Sequence, residues 1–145
     1  MKLLRGHGLG NDYLILIDGP PIEPAIARAI CDRHTGVGSD GILEPTLPVG
    51  TDYGVRIWNP DGSVAEKSGN GLRIYARWLY ALRGAPARFT IWTGHDAVRC
   101  ECSPEAIQID MGKVRAAPEV LELAGKPFDV VIVDVGNPHC VLFFD

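Results

Sequence analysis

The sequence has no surplus of basic residues: 14 Lys and Arg stand against 18 Asp and Glu, a net charge of −4. That balance leaves no electrostatic footprint for a phosphate backbone, so nucleic acid is not an expected partner. No apolar run approaches the roughly 20 residues that cross a bilayer, which argues against a membrane partner. The opening stretch MKLLRGHGLGND breaks into glycine and charge too early to read as a secretory leader. A cytoplasmic location is the expectation. Metal-binding patterns are missing as well. Cys100 and Cys102 are in C-x-C spacing, not the usual zinc spacing, and His7, His34, His95 and His139 contain no H-x-x-x-H pair. Neither a metal site nor a disulfide framework is expected. Internal repeats and low-complexity segments are also lacking.

What the 145 residues do contain is enough apolar material for a real core, in one domain or one domain plus part of another. The chain is organised around Asn59–Gly84. Leu72, Tyr75, Ala76, Leu79 and Leu82 recur at helical spacing, and Ile74, Trp78 and Ala81 widen the stripe. Arg73, Arg77 and Arg83 remain for the wet side, and Gly84 followed by Pro86 is a stop signal. Ahead of this helix stands Ser68-Gly69-Asn70-Gly71. Two glycines around an asparagine allow a tight turn and a close approach to a ligand. The first-turn N–H groups of the helix suit a carboxylate or phosphate. The same residues also fit a glycine-rich entry to a core helix with Ser68 near its N-cap. Spacing alone leaves both readings open.

In chain order, Gly6–Asp12 reads as a glycine-rich loop, followed by a strand over Tyr13–Asp18 and a break at Gly19-Pro20-Pro21. Pro24–Arg33 reads as a helix with Ile26, Ala27, Ile30 and Cys31 on one side. Gly36-Val37-Gly38-Ser39-Asp40-Gly41 formally matches G-x-G-x-x-G. The dinucleotide fingerprint needs a strand before it and a helix after it, whereas here the order is helix, loop and short strand. The dinucleotide reading is rejected. Tyr53–Trp58 alternates, and Asn59-Pro60-Asp61-Gly62 fits a type I turn. Further strands are expected over 89–93, 97–102 and 107–111, with Val98, Cys100 and Cys102 on one packed side. Val114–Lys126 has no clear period and reads as a crossing segment; 128–135 and 140–144 are β-like. Strands dominate, with two helices that each follow strands, so the fold class is α+β.

Three polar loops, HGLGND, NPDGS…SGNG and GNPH, each place an asparagine between glycines or at a strand or helix end. Turn chemistry alone accounts for any one of them. Together they read as a set of amide donors and acceptors suited to a polar zwitterion.

At this point the chain resembles a family. His7–Tyr13 (HGLGNDY), Asp32–Gly41 (DRHTGVGSDG), Arg56–Ser63 (RIWNPDGS), Gly69–Arg73 (GNGLR) and Gly136–Cys140 (GNPHC) look like the successive motifs of diaminopimelate epimerase, in order and nearly end to end. The resemblance implies a cofactor-independent amino-acid epimerase of two similar lobes facing each other across a cleft. Each lobe is a mixed or antiparallel sheet wrapped around a central helix, here about Gly71–Arg83. Residues 1–115 would form the first lobe, and 116–145 the crossing segment and first strands of an incomplete second one. One base would remove the α-proton and an acid on the opposite face would return one. Without pyridoxal phosphate, preorganised dipoles and excluded water must stabilise the developing carbanion. By resemblance Asn11, Asn59, Asn70 and Asn137 grip the amino acid, Gly69 offers a backbone N–H, and His139 orients or polarises beside the chemistry.

The residue at position 68 and the length depart from the family pattern. Ser68 stands where the family has a catalytic cysteine; a thiol at a helix N-terminus acquires a lowered pKa, and an alcohol starts far higher. The position matching a glutamine of some members is Gly41. The family's second lobe, with its opposing cysteine, would lie beyond Asp145, and the expected assembly is a homodimer or completion by a second-lobe chain. The implied activity is conversion of LL- to meso-diaminopimelate for lysine and peptidoglycan precursor synthesis. The alternatives are a serine-variant racemase or dehydratase of the same fold, and an inactive half-fold retaining binding loops.

Overall fold

The computed structural model describes residues 1–134 and 138–143. It divides into two compact units, Met1–Asp110 and Met111–Asp145. The first contains strands β1 (Lys2–Gly8), β2 (Asn11–Asp18), β3 (Ile42–Thr46), β4 (Tyr53–Trp58), β5 (Val64–Ala65), β6 (Arg88–Trp92), β7 (Ala97–Cys102) and β8 (Ile107–Ile109). Helix α1 (Pro24–Cys31) connects β2 to β3, and α2 (Gly69–Leu82) lies between β5 and β6. The sheet runs β1-β2-β3-β4-β6-β7-β8, with β5 added beside β4. Pairs β2/β3 and β4/β6 are parallel and the rest antiparallel. A parallel pair needs a crossover, and each helix sits in one. The mixed sheet curls as a half-barrel around α2, which touches β1 and β2 near one end of the sheet and β7 and β8 at the other.

Helix α2 buries Leu72, Ile74, Tyr75, Ala76 and Leu79. A fully buried leucine such as Leu72 contributes about 1.5–3 kcal/mol relative to an exposed one. Tyr75, pushed upward in pKa by burial, donates its hydroxyl to the Gly54 carbonyl at 2.9 Å. Arg77, expected on the wet side, instead donates to the carbonyls of Ser103 and Pro104 at 2.9 Å each. It clamps the turn between β7 and β8. The other face of the sheet carries a second core of Leu14, Leu16, Ile22, Ala27, Cys31, Ile42 and Trp58. Tyr13 through Leu16 are therefore buried consecutively, as in a strand covered on both faces. Glu44, 5% exposed, is satisfied within this layer by the Ile22 N–H at 3.0 Å and the Trp58 indole N–H at 2.9 Å.

The glycine-rich front loop is shorter than expected. His7 pairs with Asp12 and Gly8 with Asn11, so only Leu9 and Gly10 turn. Both have positive φ, 52° and 91°, the signature of a tight hairpin turn. Gly6 looks loop-like in sequence for a packing reason: a Cβ there would lie 2.6 Å from Ile74 Cγ2, so its absence lets β1 lie close against α2.

The second unit is a three-stranded antiparallel sheet of β9 (Arg115–Leu123), β10 (Lys126–Asp134) and β11 (Pro138–Leu142), in the order β11-β10-β9. The segment without a period is thus a strand. It is exposed almost throughout, so no buried face imposes an alternation. Pro118 is tolerated because β9 is an edge strand.

Candidate active site

Ser68 is the N-cap of α2, in extended conformation with φ −144° and ψ 111°. Its Oγ accepts the Gly71 N–H at 3.1 Å, which satisfies one of the otherwise unpaired first-turn donors. The Tyr13 hydroxyl lies 2.9 Å from the same Oγ. A Cβ on Gly71 would come within 3.0 Å of Ser68 Oγ and 3.3 Å of Leu43 Cδ2, so this position is crowded by the cap it serves. Gly69 opens the helix.

Asn70, in the first turn, donates Nδ2 to Asn11 Oδ1 at 2.7 Å, bringing together two residues 59 positions apart. Asn11 donates to Asp40 Oδ2 at 3.1 Å, and Arg73 donates to Asn70 Oδ1 at 2.8 Å. Asp40 also accepts from the Asp12 N–H at 3.0 Å and from Arg33 at 2.8 Å. The Asn11 hydrogen bond above all, aided by the Asp12 N–H and Arg33, holds the Asp40 carboxyl below its ordinary range. Arg33 reaches Asp12 at 2.6 Å, and Arg5 pairs with the other Asp12 oxygen.

Asn59 bonds within its own turn and not to Asn11 or Asn70. Its carboxamide donates to Ser63 Oγ at 2.9 Å, inside the turn closed by Gly62 N–H to Asn59 O at 3.0 Å. Asn137 lies outside the described residues. His139 is on β11, opposite Val133, in the second unit. Gly41 cannot carry a side chain in this backbone: a Cβ would sit 2.4 Å from the Trp58 carbonyl oxygen and 2.6 Å from Tyr13 Cε1. The glutamine contact of some family members is therefore sterically closed here.

Within the first unit, no thiol stands at this helix end. Cys31 accepts from the Ser39 hydroxyl at 3.3 Å in the α1 core, and burial pushes its pKa up. Burial pushes Cys100 up to about 12, and raises Cys102 as well. Buried, neutral thiols of this kind are inert. Cys140 is exposed on β11.

Sequence reasoning passed over Tyr13, Asp40 and Arg33 as site residues. Tyr13 reads as the first core position of a strand, yet it is the only residue of that run with a hydroxyl to offer. Arg33 precedes the rejected glycine motif and Asp40 lies within it, and opposite charges seven residues apart in the sequence were the available signal.

The sequence profile of the family described as diaminopimelate epimerase matches residues 3–117. Diaminopimelate epimerase 2 of Nostoc sp. (strain PCC 7120) is 36% identical, covering 100% of this chain and 58% of its own length. Diaminopimelate epimerase 1 of the same organism is 39% identical, covering 100% and 61%. Diaminopimelate epimerase of Rhodospirillum centenum is 40% identical, covering 99% and 55%. The chain thus spans somewhat more than half the length of these relatives. A crystal structure of a PhzF-family phenazine biosynthesis protein from Bacillus anthracis aligns with TM-score 0.65 over 98% of this chain and 56% of that one. At 17% identity, that likeness speaks for the fold. The ordered motifs, the sheet around α2 and relatives alike across the whole sequence agree: this chain belongs to the diaminopimelate epimerase family.

Proposed function

We propose that the chain is the α-carbon-inverting half of a pyridoxal-independent amino-acid epimerase, acting in the cytoplasm on LL-diaminopimelate to give the meso form. The observation that carries this reading is the direct Asn11–Asn70 contact at the amino end of α2, beside the Ser68 cap. Amide N–H groups and the first-turn backbone donors, including that of Gly69, suit the substrate carboxylate. They also stabilise charge that develops when the α-proton leaves. Asn59 contributes once its bond to Ser63 opens. Asn137 and His139 enter through family likeness, His139 as an orienting or polarising group. The assembly is a homodimer or is completed by a second-lobe chain.

Ser68 gives a second reading some support. Its oxygen is engaged by both the Gly71 N–H and the Tyr13 hydroxyl. An alcohol so placed is a weak base and a ready hydrogen-bond donor. This favours a serine-variant enzyme in which Ser68 works through water or the phenol, in one-base racemisation or elimination.

Incubation with diaminopimelate in deuterated water tests both. Inversion with α-deuterium incorporation supports the epimerase and exchange without inversion supports one-base chemistry; diaminopimelate has no β-hydroxyl to expel, so elimination is tested with a β-hydroxy amino acid, whose loss of water supports it. Absence of all three supports an inactive binding half-fold. Ser68→Cys should raise exchange by about tenfold or more, because a thiolate is far more accessible than an alkoxide. An unchanged rate in that variant would remove Ser68 from the reacting centre.

A further inference from the structure

The loop Gly36–Gly41 is the one prominent motif that the proposed chemistry leaves without a task. In the folded chain its Asp40 heads a continuous run of side-chain hydrogen bonds: Asn11 Nδ2 to Asp40 Oδ2, Asn70 Nδ2 to Asn11 Oδ1, and Arg73 Nη1 to Asn70 Oδ1. A carboxylate only accepts and a guanidinium only donates. The two ends therefore dictate one direction for everything between them. Turning over Asn11 would set an amide oxygen against Asp40. Turning over Asn70 would set an NH₂ group against Arg73. Either flip breaks a charge-assisted bond and puts like partial charges together.

Asp40 is itself fixed. Besides Asn11, it accepts from the Asp12 N–H and from Arg33, while its own N–H donates to Asp12 O at 2.8 Å. Arg5 donates to the carbonyls of Val37 and Gly38 at 2.9 and 2.6 Å, and also pairs with Asp12. Two arginines and two aspartates thus fasten the loop bearing Asp40 to the hairpin bearing Asn11.

We propose that Asp40 is a positioning residue, setting the direction of the Asp40–Asn11–Asn70–Arg73 chain so that both asparagines present their remaining N–H, not a carbonyl, to the ligand. The glycine motif that resembles a dinucleotide fingerprint serves instead to deliver this carboxylate. The kinetic consequence rests on the reading that this end of α2 holds an amino-acid carboxylate; the orientation of the amides does not.

The test is side-chain amide NMR on the full ¹⁵N-labelled chain, together with α-deuterium exchange kinetics. In Asp40→Asn, the Asn11 and Asn70 NH₂ signals should shift and exchange with water about tenfold faster, the loss of one charge-assisted bond. KM should rise about tenfold with kcat nearly unchanged, a split that a general loss of stability would not produce. Arg73→Met, at the other end, should release Asn70 and leave Asn11 in place. Unmoved amide signals in Asp40→Asn would overturn the proposal. Should that variant unfold, an unmoved Asn70 signal in Arg73→Met would do the same. Moved amides with an unchanged KM in an active protein would overturn the presenting role. Moved amides in a chain that exchanges no α-proton even as wild type would support the positioning role and refute the proposed function.

Discussion

The two units of this chain are built from similar strands and differ in what covers them. Every fully buried apolar side chain among the described residues, except Val130, belongs to Met1–Asp110. There a single sheet has α1 and its core on one face and α2 on the other. In Met111–Asp145, β9 presents Val120 and Leu123 as exposed large apolar residues, and Val114 and Phe143, just outside the strands, are exposed as well. Hydrogen-bonded ladders are present in both units, so pairing is not what distinguishes them. Hairpin-like sheets without a covered face are marginal in water. The contrast assigns the folding free energy to the first unit, and with it the helix end where Ser68, Asn70 and Asn11 meet.

Cutting the chain is the most severe way to break the comparison. A protein ending at Asp110 should keep a cooperative thermal transition by circular dichroism, whereas an isolated 111–145 peptide should show none. A melting peptide, or a 1–110 fragment without a transition, would move the stability to where no buried core is seen. Thiol reactivity sharpens the same contrast without cutting anything. Cys140 is exposed, and Cys31, Cys100 and Cys102 are buried in the first unit. With an aromatic disulfide reagent, native protein should yield one fast thiol and three that react only after opening. The slow phase should lag by about three or more orders of magnitude, tracking the unfolding equilibrium.

Side-chain truncation gives a smaller effect with the same sign. Leu72→Ala should cost about 2–5 kcal/mol in urea unfolding, because the half-barrel cannot collapse fully around the vacated volume. Val120→Ala, on the exposed β9 strand, should stay within about 0.5 kcal/mol. Equal losses would mean that Val120 is covered in solution.

What could be read in advance follows the same line between covered and uncovered structure. Helix α2 announces itself because one face is buried, and burial is what writes a period into a sequence. Strand β9 carries no such record, since both its faces meet water. The hairpin β1–β2 failed for a different reason. Gly6 and Gly8 look like loop residues, yet the lack of a side chain at Gly6 is what lets β1 approach Ile74. At the candidate site, the asparagines stood out as residues. Their partners did not: Asp40 lay in a motif that fits another chemistry, and Tyr13 looked like ordinary core. Only the folded chain shows that Asn59 is held by its own turn while Asn11 and Asn70 touch.

Acid should produce the smallest of these effects, again in the first unit. Asp40 is held below its ordinary range, foremost by the Asn11 hydrogen bond. Asp52 is lowered by the Thr90 hydroxyl and N–H, and Asp96 by Lys67. A carboxyl whose folded pKa lies below its unfolded value of about 3.9 stabilises the fold above that value. The contribution fades as pH falls through the folded pKa, where both states are protonated. Asp40→Asn removes its share, so the stability gap between wild type and variant should be widest near about pH 6 and narrow toward about pH 2.5. With a third of the Asp40 side chain exposed, 34%, solvent screening keeps the gap below about 1 kcal/mol. Urea unfolding at the two pH values measures it. A gap that widens in acid would mean that protonated Asp40 makes the stronger bonds, and the acceptor-only end of the asparagine chain would lose its basis.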